Sequence, residues 1–120
     1  QDQLARLSGP GGQGSVVLKT YRLVEPLFSR IDIPLASMEL TGKGSWRVVL
    51  ETGAAIELGR GSSEEVAVRT ERFLKTLTQV AVRYARPLSA LESADLRHEN
   101  GYAIRLRGVT TLTDMAAKKQ

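Results

Sequence analysis

Apolar residues recur along the chain in two rhythms. Val17, Tyr21, Val24 and Phe28 follow at spacings of four, three and four. That places them on one stripe of a helix, with Ser15 as its N-cap. The preceding run Ser8-Gly9-Pro10-Gly11-Gly12-Gln13-Gly14 reads as a loop. Pro26 lacks an N–H and its ring crowds the turn before it, so the helix is expected to kink or end nearby. Past Pro34 the period changes to two. Ala36, Met38 and Leu40 alternate with Ser37, Glu39 and Thr41. After Gly42-Lys43-Gly44, Trp46, Val48 and Leu50 alternate with Arg47, Val49 and Glu51. A turn at Thr52-Gly53 leads to Ala54, Ile56 and Leu58. Short alternating runs joined by glycine-containing turns predict an antiparallel meander with one apolar face.

Gly59-Arg60-Gly61 closes the meander, and Ser62 with Glu65 has capping-box spacing. Val66, Phe73, Leu77, Val80 and Tyr84 then share one face of a long helix, opposite Glu71, Lys75 and Gln79, with Pro87 just beyond its end. Ala94, Leu96 and His98 alternate up to Asn100-Gly101, followed by Tyr102, Ile104 and Leu106. Asn-Gly between alternating runs predicts a tight hairpin, because both residues tolerate positive φ. The expected fold is α+β: an antiparallel sheet of about five strands with both helices on one face, in the order α-β-β-β-α-β-β. Arg47, Glu57, Asp95, Arg97, Arg105 and Arg107 fall on the other face. Residues 1–112 are expected to form the domain and 113–120 a frayed tail.

The chain has 120 residues, 42% of them apolar and 25% charged, enough for one domain with its own core. No apolar run reaches the ~18–20 residues a membrane helix needs, and Gln1-Asp2-Gln3 does not resemble a cleavable signal. With no cysteine, disulfides, thiol nucleophiles and cysteine metal sites are excluded. His98 is the single histidine, which excludes a His-rich zinc site, and no serine sits in a G-x-S-x-G turn. Its position, in a strand near a turn, fits a structural residue better than a general base. Glu64 and Glu65 read as helix-start charges, and Glu92 and Asp95 as strand-surface charges. No catalytic residue, metal or cofactor is expected.

Gly9, Gly11 and Gly14 fit G-x-G-x-x-G, with Asp32 downstream. A dinucleotide site needs a strand before that motif and a parallel crossover after it, and a meander supplies neither. Gly11-Gly12-Gln13-Gly14 also matches the GXXG clamp of single-stranded nucleic-acid binders, which lies between two helices. A net charge of +4 and a pI near 9.8 fit that alternative, a basic α+β single-stranded nucleic-acid-binding domain. The aromatic residues, however, are assigned to apolar stripes rather than to a stacking surface.

Taken together, the pieces resemble the periplasmic β-domain of the FtsQ/DivIB family over residues from about 7 to 107. The resemblance is carried by Leu7-Ser8-Gly9-Pro10 with Gly12, Tyr21-Arg22, Gly44-Ser45-Trp46-Arg47-Val48-Val49-Leu50 and Leu58-Gly59-Arg60. It continues in Glu71-Arg72-Phe73, Ala94-Asp95-Leu96-Arg97-His98 and Asn100-Gly101. It implies a non-enzymatic divisome scaffold at the septum that binds FtsB, with FtsL, and helps regulate septal peptidoglycan synthesis. It implies anchoring in the inner membrane by one membrane helix, with this domain on the periplasmic side. That helix, a POTRA domain and the opening strands of the β-domain are expected to lie outside this chain, and other divisome components to be met through the full-length protein. No nucleic acid is expected as a partner.

The resemblance further implies a docking surface on the final strands and the cations beside them. Arg97 and His98 match the family's Arg-Tyr pair before the turn, and Lys43 matches a basic residue that is arginine elsewhere. Arg60 is the arginine of Leu-Gly-Arg, and Arg72 the one before the helix phenylalanine. Leu106 stands where some relatives carry tryptophan. If Tyr102 to Leu106 is a sheet edge, its unpaired backbone groups accept a partner strand. The expected contact set is therefore Lys43, Arg60, Arg72, Arg97, His98, Asn100, Gly101, Tyr102, Ile104 and Leu106.

Overall fold

Both amphipathic stripes form helices in the computed structural model, which describes residues 5–98, 101–109 and 112–113. Helix α1 spans Gly14–Ser29 and buries Val17, Val24 and Phe28, with Tyr21 at the edge of the stripe. Its N-cap is Gln13, which makes no side-chain cap, rather than Ser15. The Pro10 carbonyl accepts from the Gln13 amide at 3.1 Å, so the helix starts two residues earlier than the serine suggested. Pro26 sits inside the helix, which runs on to Ser29. The carbonyl deprived of its bond belongs to Arg22, an exposed residue whose backbone can turn to water. Helix α2 spans Ser63–Arg83 and begins with the expected capping box.

The strands are β1 (Arg6–Ser8), β2 (Leu35–Leu40), β3 (Ser45–Leu50), β4 (Ala55–Arg60), β5 (Leu91–Asp95), β6 (Ala103–Leu106) and β7 (Leu112–Thr113). A short 3-10 turn, Leu88–Ala90, leads into β5. The strands lie side by side in chain order in one sheet. The meander β2-β3-β4 is antiparallel as expected. The sheet as a whole is mixed, which corrects the all-antiparallel reading: β1 runs parallel to β2, and β4 parallel to β5. Each parallel pair is bridged by a helix, α1 or α2, that carries the chain back to the starting end. A hairpin cannot make such a connection, but a helix of this length does.

Trp46, Val48, Ile56, Leu58, Ala94 and Ile104 point into one core with Val17, Val24, Phe28, Val66, Phe73 and Leu77 of the helices. Ser37, Glu39, Arg47, Val49, Ala55, Glu57, Ser93, Asp95 and Arg105 are half-buried or exposed on the other sheet face. At the glycine-rich loop, β1-α1-β2 does supply a strand before the motif and a parallel crossover after it, contrary to the sequence reading. Gly9 is there for close packing, since a Cβ on it would stand 2.9 Å from Val17 Cγ2.

Two further expectations change at the last strands. β5 pairs with β6 from Asp95 opposite Ala103, leaving residues 96–102 between them. That is too long for a two-residue Asn-Gly turn; Glu99 and Asn100 lie outside the described residues. The Leu96 amide donates instead to the Glu57 carbonyl at 2.8 Å, so the chain past β5 keeps following β4. Nor is β6 the sheet edge: β7 pairs with it, Thr113 opposite Ala103 and Leu112 opposite Ile104. Among the described residues the outermost strand on this side is β7, and the boundary expected between 112 and 113 falls inside it.

Candidate partner-binding groove

The site begins with an irregularity in the meander. Trp46 stands opposite Gly59 and Arg47 opposite Glu57, so Leu58 is an extra residue in β4. A bulge of this kind leaves a backbone group without its ladder partner. Here the Leu58 carbonyl accepts from Arg69 Nη1 of α2 at 2.7 Å. Gly59 follows with φ of 87°, a conformation that an L-residue adopts only under strain. A Cβ on Gly59 would also stand 3.2 Å from Arg69 Nη1 and 3.4 Å from Arg97 Cγ. The missing side chain lets an arginine from the helix and one from the β5–β6 connection meet over the same strand.

Around this floor lies an open groove of about 1510 Å³. Its walls are the first half of α2, the β2–β3 turn, the end of β4 and the β5–β6 connection. Its volume exceeds that of a usual small-molecule pocket. Lys43, Arg60, Arg72, Arg97, His98, Gly101 and Tyr102 all line it. Residues scattered over half of the sequence thus converge on one surface. Arg69 and the exposed Val68 line it too and were missed. Their sequence signal was the spacing of Arg69 and Arg72, three residues apart on one helix.

The groove's electrostatics follow from who is already paired. Its carboxylates are engaged: Glu57 with Arg47 Nε at 3.3 Å, Glu64 with Lys19 at 3.0 Å, and Glu65 Oε1 with the Ser62 amide at 2.9 Å. Among the described residues, no carboxylate lies within ion-pair distance of Lys43, Arg60 or Arg72. Arg97 is held in a fork: Nε meets Asp95 Oδ1 at 2.9 Å and Nη2 meets Oδ2 at 2.8 Å. That fork holds the Asp95 carboxyl below its ordinary range. Burial pushes the Tyr102 phenol up, against the opposing pull of the Arg72 and Arg69 charges. The Tyr102 ring stands edge-on to Phe73, with ring centres 5.5 Å apart and planes at 78°. Ser45 Oγ, at the groove's β3 end, is buried and has no hydrogen-bond partner among the described residues.

The remaining sites divide. Ile104 and Leu106 are buried at 0% and 1% exposure, so their side chains serve the core. The side chains of β6 alternate, and the outward ones are Ala103 and Arg105. Asn100 lies outside the described residues. Among those residues, no helix is long and apolar enough to cross a membrane.

Comparison with known proteins adds a family. The sequence model described as "Cell division protein FtsQ/DivIB, C-terminal" matches residues 1–97. The chain is 33% identical over 107 residues to the cell division protein FtsQ of Thiomonas arsenitoxydans, covering 88% of this chain and 38% of that protein. It is 33% identical over 113 residues to FtsQ of Burkholderia pseudomallei, covering 93% of this chain and 44% of that protein. For FtsQ of Vibrio cholerae the figures are 31% over 102 residues, 85% and 36%. The chain thus spans about two fifths of the length of these curated relatives.

Proposed function

The chain belongs to the FtsQ/DivIB C-terminal family of cell-division proteins, and from that premise we propose that it is a non-enzymatic docking domain of the divisome. In this reading its groove receives the periplasmic part of FtsB, with FtsL, and so helps regulate septal peptidoglycan synthesis. The observation that carries the proposal is the convergence of Lys43, Arg60, Arg72, Arg97, His98, Gly101 and Tyr102 on one open groove. Lys43, Arg60 and Arg72, which no carboxylate pairs among the described residues, favour a partner segment with acidic residues, and Val68 and Tyr102 offer apolar contact beside them. The partner's extended segment adds to the sheet at β7, the outermost of the described strands on that side, where backbone bonds supply affinity and the groove supplies specificity. The domain acts outside the inner membrane at the septum, tethered by a membrane helix elsewhere in the full-length protein.

Calorimetry with a synthetic FtsB periplasmic segment tests this. Arg97→Glu is expected to weaken binding tenfold or more while circular dichroism shows the fold intact; unchanged affinity overturns the assignment of Arg97 to the interface. Single-stranded oligonucleotides serve as the second titrant. Binding to them, and not to the peptide, would replace this reading with the nucleic-acid one.

A further inference from the structure

We propose that Asp95 is a positioning residue for partner binding: it orders Arg97 before the partner arrives and aims its free donors into the groove. This rests on the reading of the groove as a partner site and goes one step deeper into it. The β5–β6 ladder ends at Asp95 opposite Ala103, so no strand pairing to β6 fixes Arg97. Asp95 does so by three bonds. Its Oδ1 accepts from the Arg97 backbone amide at 3.0 Å and from Arg97 Nε at 2.9 Å, and its Oδ2 accepts from Nη2 at 2.8 Å. The stem is steered separately, because Arg97 Cγ lies over the bare backbone of Gly59.

This geometry leaves part of the guanidinium open. The fork consumes Nε and one hydrogen of Nη2, so Nη1 and the outer hydrogen of Nη2 remain as donors. Asp95 itself sits mostly out of water, at 24% side-chain exposure, whereas the Arg97 side chain is 55% exposed. The carboxylate is therefore the fixed member of the pair and the arginine the presented one. A long side chain that is already ordered loses little further freedom when a partner binds, and that saved entropy appears as affinity. Glu57, itself paired with Arg47, adds a second and weaker negative charge near Arg97.

The test is a double-mutant cycle by calorimetry against the FtsB periplasmic segment, using wild type, Asp95→Asn, Arg97→Ala and the double variant. Asp95→Asn is expected to weaken binding roughly three- to tenfold in the wild-type background, the range set by immobilising one side chain. It should have no further effect once Arg97 is alanine. Unchanged or tighter binding by Asp95→Asn overturns the inference, as does an equal loss in both backgrounds. A second readout on the free protein is the Arg97 Nε–H resonance in nitrogen-15 NMR. It should exchange slowly in wild type and fast in Asp95→Asn; fast exchange in wild type would show that no ordering exists. If Arg97→Ala binds like wild type, the placement of Arg97 fails and the inference with it. If wild type does not bind at all, the proposed function itself fails.

Discussion

Ala85 holds a backbone angle that L-residues adopt at a cost, with φ of 54°. It follows the last turn of α2, where the Arg86 amide reaches back to the Ala81 carbonyl at 2.9 Å and the Ala85 amide to Val82 at 3.1 Å. These are the paired bonds of a helix end that favours glycine in the left-handed position. Ala85→Gly should therefore stabilise the fold by about 0.5–1 kcal/mol, seen as a rise of a few degrees in a thermal melt. Asp95 offers a residue-scale test of a different kind. Its folded pKa is depressed, so its stabilising contribution is present above the ordinary carboxylate range and lost as pH falls through the folded value. Wild type should exceed Asp95→Asn in stability by no more than about 1 kcal/mol near neutrality, and the gap should close in denaturant titrations as acid protonates the Asp95 carboxyl. A gap that widens with acid would contradict the assigned pairing. Neither Ala85 nor Asp95 announced its role in the sequence, because backbone sign and side-chain pairing are set by what surrounds them.

At the scale of elements, the two helices are fastened by polar as well as apolar contact. Thr20 of α1 and Ser63 of α2 are buried, at 0% and 6% exposure, with their hydroxyls 2.6 Å apart. Thr20 Oγ1 also donates to the Val16 carbonyl at 2.9 Å, so the shared hydrogen belongs to Ser63. Lys19–Glu64 and Arg30–Glu71 bridge the same pair of helices at the surface, at 3.0 Å and 3.8 Å. Thr20→Val strands a buried donor and should cost about 1–3 kcal/mol. Combining it with Ser63→Ala should cost less than the sum of the two single changes, measured by urea unfolding of the four proteins. The helices themselves were legible from their stripes and from the Ser62–Glu65 capping box, since both signals are local. The parallel pairings they create were not legible. A strand-helix-strand run and a strand followed by a packed helix look alike until the return strand is known to lie beside the first.

Across the whole molecule, charge and topology together decide what the groove can hold. If a polypeptide is held mainly by backbone bonds and apolar contact, raising salt should weaken the FtsB segment only modestly in calorimetry. A single-stranded nucleic acid would lose affinity with a log–log slope of about −0.7 per phosphate neutralised. A steep slope for the peptide would show that the groove's cations, rather than the sheet edge, carry the affinity. By itself the sequence determined the α+β class, the meander, both helices and most of the core, and it singled out Lys43, Arg60, Arg72, Arg97 and His98 but not Arg69. Each of these follows from periodicity, from glycine and proline chemistry, or from short motifs whose order resembles one family. Only the tertiary structure decided that the sheet is mixed and that, among the described residues, β7 rather than β6 is outermost. It alone brought Arg69 to the Leu58 carbonyl and Asp95 to Arg97. Side-chain period and turn chemistry act over a few residues and can be read along the chain. Strand neighbours and ion-pair partners are chosen among segments far apart in sequence, by which arrangement buries the most apolar surface while leaving the fewest polar groups unpaired.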